Sequence, residues 1–267
     1  MLFSLKGGLL AMDLNLEGKR VIVTGGTRGL GKAISEAFAR EGASVAMNFI
    51  GGEENADKTL DELRDKYSTL LTAIKADITV EEQVCLLFDE AEKALGGGID
   101  ILINNAGICP VTDVLDTPYE LWKRVIDVNF NSVFLMSKEF VKRRIEAGVG
   151  GRITNIASQA AFNGSKRGKT HYAASKGALV SFTLSFAKEV AKYGIYVNAV
   201  APGMMFTDLT KETLSVPGEQ ERYNAAITLG RIAEVGEVAE SVLFISSEVA
   251  SYSTGSTFDV SGGIMSR

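Results

Sequence analysis

This 267-residue chain has two cysteines, one histidine and no long apolar run, and each scarcity closes off a class of function. Cys85 and Cys109 form neither a CxxC pair nor part of a Cys/His cluster. Metal-ligand spacing is therefore absent, no metal is expected, and a reducing, cytoplasmic setting fits. No uncharged apolar stretch approaches the roughly 18 to 20 residues needed to cross a bilayer, so no membrane association is expected. Residues 1–12 hold an apolar stretch with Lys6, but Gly7 and Gly8 interrupt it and no small-residue cleavage pattern follows. No secretion signal is read there. Positive charge is scarce too: the formal net charge is -5, which supplies no broad polyanion-binding face, and nucleic acid is not an expected partner.

With 46% hydrophobic and 23% charged residues, the composition fits an ordinary globular enzyme of one large domain or two small ones. Short Val- and Ile-rich runs alternate with longer segments of helical period, the pattern of a doubly wound parallel sheet in three layers. Strands are expected at residues 20–24, 44–49, 69–75, 99–104, 152–157, 196–201 and 257–260. Helices are expected at 30–41, 53–67, 80–95, 119–147, 172–193 and 237–247. Gly42, Gly96 and Gly194 stand where helices should stop. Residues 204–230 break the rhythm with Pro217-Gly218 and many charges. An insertion after a strand's carboxyl end can cover the ligand crevice of such a sheet, so the segment is read as a substrate lid, the alternative being a plain surface excursion.

Directly after the first strand stands Thr24-Gly25-Gly26-Thr27-Arg28-Gly29-Leu30-Gly31, and a helix follows. Glycines allow close approach of backbone to a pyrophosphate, and the free N–H groups at a helix start favour its charge. The Thr-Gly-x-x-x-Gly-x-Gly spacing resembles that of the short-chain dehydrogenase/reductase family. The resemblance continues through Asp77, Asn104-Asn105-Ala106-Gly107, Asn129, Ser158, Tyr172 with Lys176, and Pro202-Gly203 followed by Thr207, in the family's order over about residues 14–263.

That resemblance implies a Rossmann-type catalytic domain, residues 14–267, behind an N-terminal extension of residues 1–13. It implies a dinucleotide site drawn from several segments. Gly25, Thr27, Arg28, Gly29, Leu30 and Gly31 come from the glycine loop, and Asn48, Asp77 and Ile78 from the next two strand ends. Asn105, Ala106 and Gly107 follow, then Tyr172 and Lys176, and finally Pro202, Gly203, Met205 and Thr207. The resemblance also implies a homotetramer in which the helices from Tyr119 and Tyr172 pair across a two-fold axis. Phe134, Met136, Phe140, Phe182 and Phe186 either serve that pairing or face the sheet.

Cofactor choice depends on charge near the adenosine ribose. A carboxylate ending the second strand would bind the ribose of NAD and repel the phosphate of NADP. The chain has Asn48-Phe49-Ile50-Gly51-Gly52 there, with no carboxylate before Glu53. Arg28 is suited to pair with a 2′-phosphate and Asn48 to donate to it, so NADP(H) is favoured with NAD(H) possible. A solvated surface charge is the alternative for Arg28.

Tyr172 and Lys176 are four apart on one helix face. A free phenol, with a pKa of about 10, is a poor base at neutral pH, but an adjacent ammonium favours phenolate. Tyr172 is thus the expected acid/base. Ser158 is expected to hold the substrate oxygen. By resemblance, Lys176 contacts the nicotinamide ribose and Asn129 positions a water beside it. The segment between Ser158 and Tyr172 holds Lys166-Arg167-Gly168-Lys169, whose charges either attract an acidic substrate or are solvated. His171 precedes the tyrosine, but adjacent helical residues point about 100° apart, so a structural or pocket-rim role is expected. Cys109 either lines the pocket or packs.

The resulting expectation is an NADP(H)-dependent oxidoreductase acting on a carbonyl or secondary alcohol, most like a 3-oxoacyl-thioester reductase of the acyl-carrier-protein type. Dehydrogenation of a sugar, polyol or steroid alcohol is the alternative. A non-catalytic dinucleotide-binding regulator is remote, because it has no chemical need of Asn129, Ser158, Tyr172 and Lys176 together.

Overall fold

The computed structural model describes residues 3–6, 9–165 and 168–265. A separate antiparallel pair comes first, β1 (Phe3–Lys6) and β2 (Leu9–Met12), in the extension to which the sequence reading gave no structure. Strands and helices then alternate: β3 (Arg20–Val23), α1 (Gly29–Arg40), β4 (Ser44–Phe49), α2 (Glu53–Lys66), β5 (Leu71–Lys75), α3 (Glu81–Leu95) and β6 (Ile101–Asn104). Next come α4 (Tyr119–Ile126), α5 (Ser132–Glu146), β7 (Gly151–Ile156), α6 (Ala160–Asn163), α7 (Thr170–Val190) and β8 (Ile195–Pro202). The chain continues through α8 (Asp208–Leu214), α9 (Glu219–Ala226), α10 (Val235–Ile245) and β9 (Thr257–Val260).

The seven strands from β3 onward form one parallel sheet in the order β5-β4-β3-β6-β7-β8-β9. Val21, Ile22 and Val23 of β3 are all at 0% exposure, so both faces of the sheet are covered, as a parallel sheet requires. Side chains alternate between faces. Val21 and Val23 pack with Ile34 and Phe38 of α1, Leu63 of α2 and Val242 of α10. Ile22 packs on the other side with Phe88 of α3, Met136 and Phe140 of α5 and Val190 of α7. Val21 lies in register with both Val45 and Ile101, so the strand order reverses at β3. The loops leaving β3 and β6 therefore flank the crevice where such sheets take their ligands.

One expectation needs correction, and the structure adds detail to two others. The helix expected over 119–147 is interrupted by a π-helical turn, Asp127–Asn131. Its polar side chains bond locally, Asn131 Nδ2 donating to Asp127 Oδ1 at 2.7 Å and Ser132 Oγ to the Val128 carbonyl at 2.7 Å, which competes with regular helix. Of the positions expected either to pair subunits or to face the sheet, Met136 and Phe140 lie in the core, whereas Phe134 is 46% exposed. Residues 204–230, which showed no clean pattern, fold into α8 and α9 around a small cluster of Met204, Leu214, Ile227 and Ile232. No helix among the described residues is long and apolar enough to cross a membrane.

Two glycines should respond oppositely to a methyl group. A β-carbon on Gly150 would stand 2.4 Å from the Gly194 carbonyl, whereas one on Gly236, in the first turn of α10, meets nothing within 4 Å. Gly150→Ala is expected to destabilise by about 1–3 kcal/mol and Gly236→Ala to stabilise by about 0.4–1 kcal/mol. Urea unfolding of the two variants reads both signs.

Candidate active site

The crevice is built around Thr24, the buried residue that follows β3. Its Oγ1 accepts the N–H groups of Asn105 at 2.9 Å and Ala106 at 3.0 Å and donates to the Ile103 carbonyl at 3.3 Å. Asn105 Nδ2 returns the tie by donating to the Thr24 carbonyl at 2.8 Å. α1 starts at Gly29 with no acidic residue in its first turn and no side-chain cap. Its leading N–H groups and positive end are thus left for an anion. A β-carbon on Gly31 would stand 2.0 Å from the Gly25 carbonyl, so only glycine lets loop and helix meet this closely. Donor geometry, charge and space all fit a pyrophosphate.

The other expected cofactor residues gather at the carboxyl ends of the strands. The Thr27 carbonyl accepts Thr59 Oγ1 at 2.9 Å, which fixes the loop from below. Arg28 is exposed, and its guanidinium makes no hydrogen bond or ion pair among the described residues. Asp77 Oδ1 accepts the N–H and hydroxyl of Thr79 at 2.9 and 2.6 Å, and Ile78 is buried. Gly203 N donates to the Val260 carbonyl at 3.1 Å, Met205 bridges to Ala233, and Thr207 caps α8. A cavity of about 480 Å³ lies here, lined by Gly29, Phe206, Thr207 and Lys211 among others. Asn48 is placed for another task than the one its position suggested. It is buried, and its amide donates to the carbonyls of Ala76 at 3.0 Å, Phe49 at 3.3 Å and Ile74 at 3.4 Å, so its hydrogens tie β4 to β5 rather than reach a phosphate.

Ser158, Tyr172, Lys176 and Asn129 do come together. Ser158 follows β7, its Oγ accepts the Ala160 N–H at 3.1 Å, and its hydroxyl acts to lower the pKa of the Tyr172 phenol. Lys176, one turn further along α7, is 4% exposed and donates from Nζ to the Ile156 carbonyl at 2.6 Å. Asn129 is fully buried because the π-helical turn carries it inward. Its Oδ1 accepts Ile108 N–H at 2.8 Å, and its Nδ2 donates to the Ile108 carbonyl at 2.9 Å and to Ser175 Oγ at 3.1 Å. Ser175 Oγ donates in turn to the Tyr172 carbonyl at 2.7 Å. A β-carbon on Gly107 would stand 3.3 Å from Asn129 Oδ1 and 3.7 Å from Lys176 Nζ, so both groups converge on the turn after β6. Sequence reasoning missed Ser175 and the Ile156 carbonyl, since a helical serine and a strand carbonyl carry no signal of their own.

The electrostatics differ from the expected ammonium-stabilised phenolate. Burial pushes the Tyr172 phenol well above its usual range, Cys109 adds to the rise, and the Ser158 hydroxyl opposes it. Lys176 Nζ lies 5.8 Å from the tyrosine ring centroid, and burial pushes its ammonium down to about 8. Desolvation thus outweighs the attraction between the pair. Cys109 is half-buried; burial pushes its thiol up, and Lys169 and Lys176 pull it down. His171 is 1% exposed and accepts the Tyr172 N–H at Nδ1, 2.7 Å away. That satisfies one of the free donors at the start of α7 and points the imidazole away from proton transfer. Lys166 and Arg167 lie outside the described residues. No group of three His, Cys, Asp or Glu suited to a metal occurs among the described residues.

Comparison with known proteins agrees with this geometry. The model of a family described as enoyl-(acyl carrier protein) reductase matches residues 25–265. The chain is 38% identical to 3-oxoacyl-(acyl-carrier-protein) reductase FabG of Aquifex aeolicus, over 95% of this chain and 100% of the relative. It is 36% identical to an L-rhamnose 1-dehydrogenase (NAD(P)(+)) of Azotobacter vinelandii, over 92% and 96%. The crystal structure of a gluconate 5-dehydrogenase from Burkholderia cenocepacia, in complex with NADP and tartrate, superposes with a TM-score of 0.88 at 29% identity, covering 96% of this chain and 98% of that one.

The site predicts a specific pH response for carbonyl reduction. Tyr172, with its pKa raised, stays protonated through neutral pH, and Lys176 is cationic below about 8. The rate should therefore hold below about pH 8 and fall above it, and Lys176→Met should be slower and lack that limb. Tyr172→Phe should lose about 10²- to 10⁴-fold in kcat. His171→Ala should keep most of its turnover and lose about 0.5–2 kcal/mol of stability, as for a lost helix cap. Steady-state pH profiles and urea unfolding read these; a His171→Ala variant without turnover beside an active Tyr172→Phe would reverse the assignment.

Proposed function

The chain belongs to the short-chain dehydrogenase/reductase family, and from that premise we propose that it is an NADP(H)-dependent oxidoreductase acting on a carbonyl or secondary alcohol. The observation that carries the reading is the convergence of Ser158, Tyr172, Lys176 and Asn129 beside an uncapped, glycine-lined helix start. When bound, the dinucleotide supplies or accepts the hydride. The glycine loop from Gly25 to Gly31 and the start of α1 would hold its pyrophosphate, and Lys176 and Tyr172 its nicotinamide ribose. Ser158 Oγ holds the substrate oxygen. The Tyr172 phenol gives that oxygen a proton as a carbonyl is reduced, or takes one from an alcohol. Lys176, with donors beyond the Ile156 carbonyl, returns the proton to the phenol. Since burial favours the protonated phenol, the site is better prepared for reduction than for oxidation.

Three observations support NADP(H) over NAD(H). Arg28 stands exposed without a partner among the described residues, Glu53 is bound to Lys75 at 2.5 Å rather than directed alone at the ribose, and the gluconate 5-dehydrogenase neighbour holds NADP. For the substrate, relatives named for 3-oxoacyl-thioester reduction and for a sugar stand at 38% and 36% identity, so the thioester reading leads only narrowly. Residues 14–267 act as one catalytic unit with 204–230 as its lid, in a cytoplasmic homotetramer.

Initial rates with NADPH and NADH over a panel of ketones test the reading, and inactivity with both overturns it. Arg28→Ala should weaken NADPH by about 1.5–3 kcal/mol, the value of a hydrogen bond to a charged group, and leave NADH little changed. Equal losses for both would remove Arg28 from the 2′-phosphate.

A further inference from the structure

Among the described residues of the loop before the tyrosine, Lys169 is the charged side chain that the hydride-transfer reading leaves without a task. It is half-buried and makes no ion pair among the described residues. Its Nζ donates to Thr213 Oγ1 of α8 across 3.3 Å, which leaves two of its three donors free. An ammonium with donors to spare and no counter-charge among the described residues is available to an anionic ligand.

The position is fixed by backbone. Gly168, at φ +53°, accepts the Thr112 N–H at its carbonyl, 2.8 Å away, and a β-carbon there would stand 2.8 Å from the Thr112 backbone. Lys169 is thereby clamped between the loop that follows β6 and helix α8 of the lid, three residues before Tyr172. Its charge and that of Lys176 both bear on the Cys109 thiol, which in turn bears on the Tyr172 phenol. The ammonium therefore stands between the lid and the loop after β6, the loop whose first turn carries the convergence of Asn129 and Lys176.

We propose that Lys169 selects the substrate by pairing with a carboxylate a few bonds from the reacting carbonyl, so that the enzyme acts on small oxo acids and their hydroxy-acid products. The proposal rests on the hydride-transfer reading and narrows its substrate. A 3-oxoacyl thioester carries no anion so close to its ketone, since its phosphate lies at the far end of the pantetheine arm. A neutral sugar carries none at all.

Two acid and ester pairs test it, acetoacetate with methyl acetoacetate and levulinate with methyl levulinate. The unmodified enzyme should prefer each acid in kcat/KM, with the preference carried by KM. Lys169→Met should reduce the acid-to-ester ratio about tenfold or more, as expected for a lost bond to a charged group, and Lys169→Arg should retain it. Calorimetric titration of 3-hydroxybutyrate into the NADPH-loaded protein should show the same loss of affinity in Lys169→Met. An unmodified enzyme that prefers the esters, or a ratio and an affinity unchanged by Lys169→Met, overturns the proposal. Failure to reduce any of the four carbonyls with either nicotinamide cofactor counts instead against hydride transfer, while the calorimetric arm still decides whether Lys169 binds a carboxylate.

Discussion

One hydroxyl joins the two loops on which the site depends. Thr24 Oγ1 receives two consecutive N–H groups from the turn after β6, and Asn105 answers with a bond back to the Thr24 carbonyl. These bonds close the sheet at the point where its strand order reverses. They hold the glycine loop, whose N–H groups face an anion, against the turn on which Asn129 and Lys176 converge. The crevice is thus defined by backbone geometry before any catalytic side chain is placed, and its walls stand on strands with no solvent exposure. Such rigidity matters because hydride transfer requires the reacting atoms to be held in line.

Burial and charge then compete within that frame, and burial prevails. It drives the Tyr172 phenol towards its neutral form and brings Lys176 down to about 8. Both shifts follow from packing the pair under α7, β7 and the turn after β6, where each ion loses water. The same packing supplies the remedies, with the Ser158 hydroxyl opposing the rise of the phenol and the Ile156 carbonyl accepting a hydrogen bond from the ammonium. A neutral phenol beside a cation poised near physiological pH is an arrangement for donating a proton, and only a buried pair sustains it.

The sequence revealed the scaffold well because parallel strands have a strong signature. Residues 44–49 and 257–260 were read with the bounds the structure shows, since each is a short β-branched or aromatic run bounded by turn residues. Asn129, Ser158, Tyr172 and Lys176 were legible as an ordered set, and the structure brings them to one end of the sheet. What was not legible depends on three-dimensional competition. The π-helical turn at Asp127–Asn131 arises from local side-chain bonds within a continuous helical pattern. The helices α8 and α9 have few apolar residues to set a period, and the small cluster beside them draws Leu214 from α8 and Met204, Ile227 and Ile232 from the flanking segments. Asn48 looked free to reach a ligand because the sequence does not show that carbonyls of β4 and β5 would claim its amide.

The contrast between scaffold and lid bears on how such a site acquires its substrate. The inner strands of the sheet pair with both neighbours and are covered by two large clusters, whereas the core of residues 204–230 is a handful of side chains. The lid is tied to its surroundings through single bonds such as Lys169 to Thr213 and Leu229 N to the Gly262 carbonyl. Changes in the lid and in the loop before α7 therefore disturb few contacts that the fold requires, and they leave Thr24, Tyr172 and Lys176 where they stand. The Thr24 tie and the Tyr172–Lys176 pair thus rest on the sheet and its helices, whereas residues 204–230 and the loop before α7 are held by fewer contacts. Relatives of nearly equal identity are named for an acyl thioester and for a sugar. A half-buried cation in one of those lightly held segments is then the kind of feature in which the specificity of an individual enzyme is to be sought.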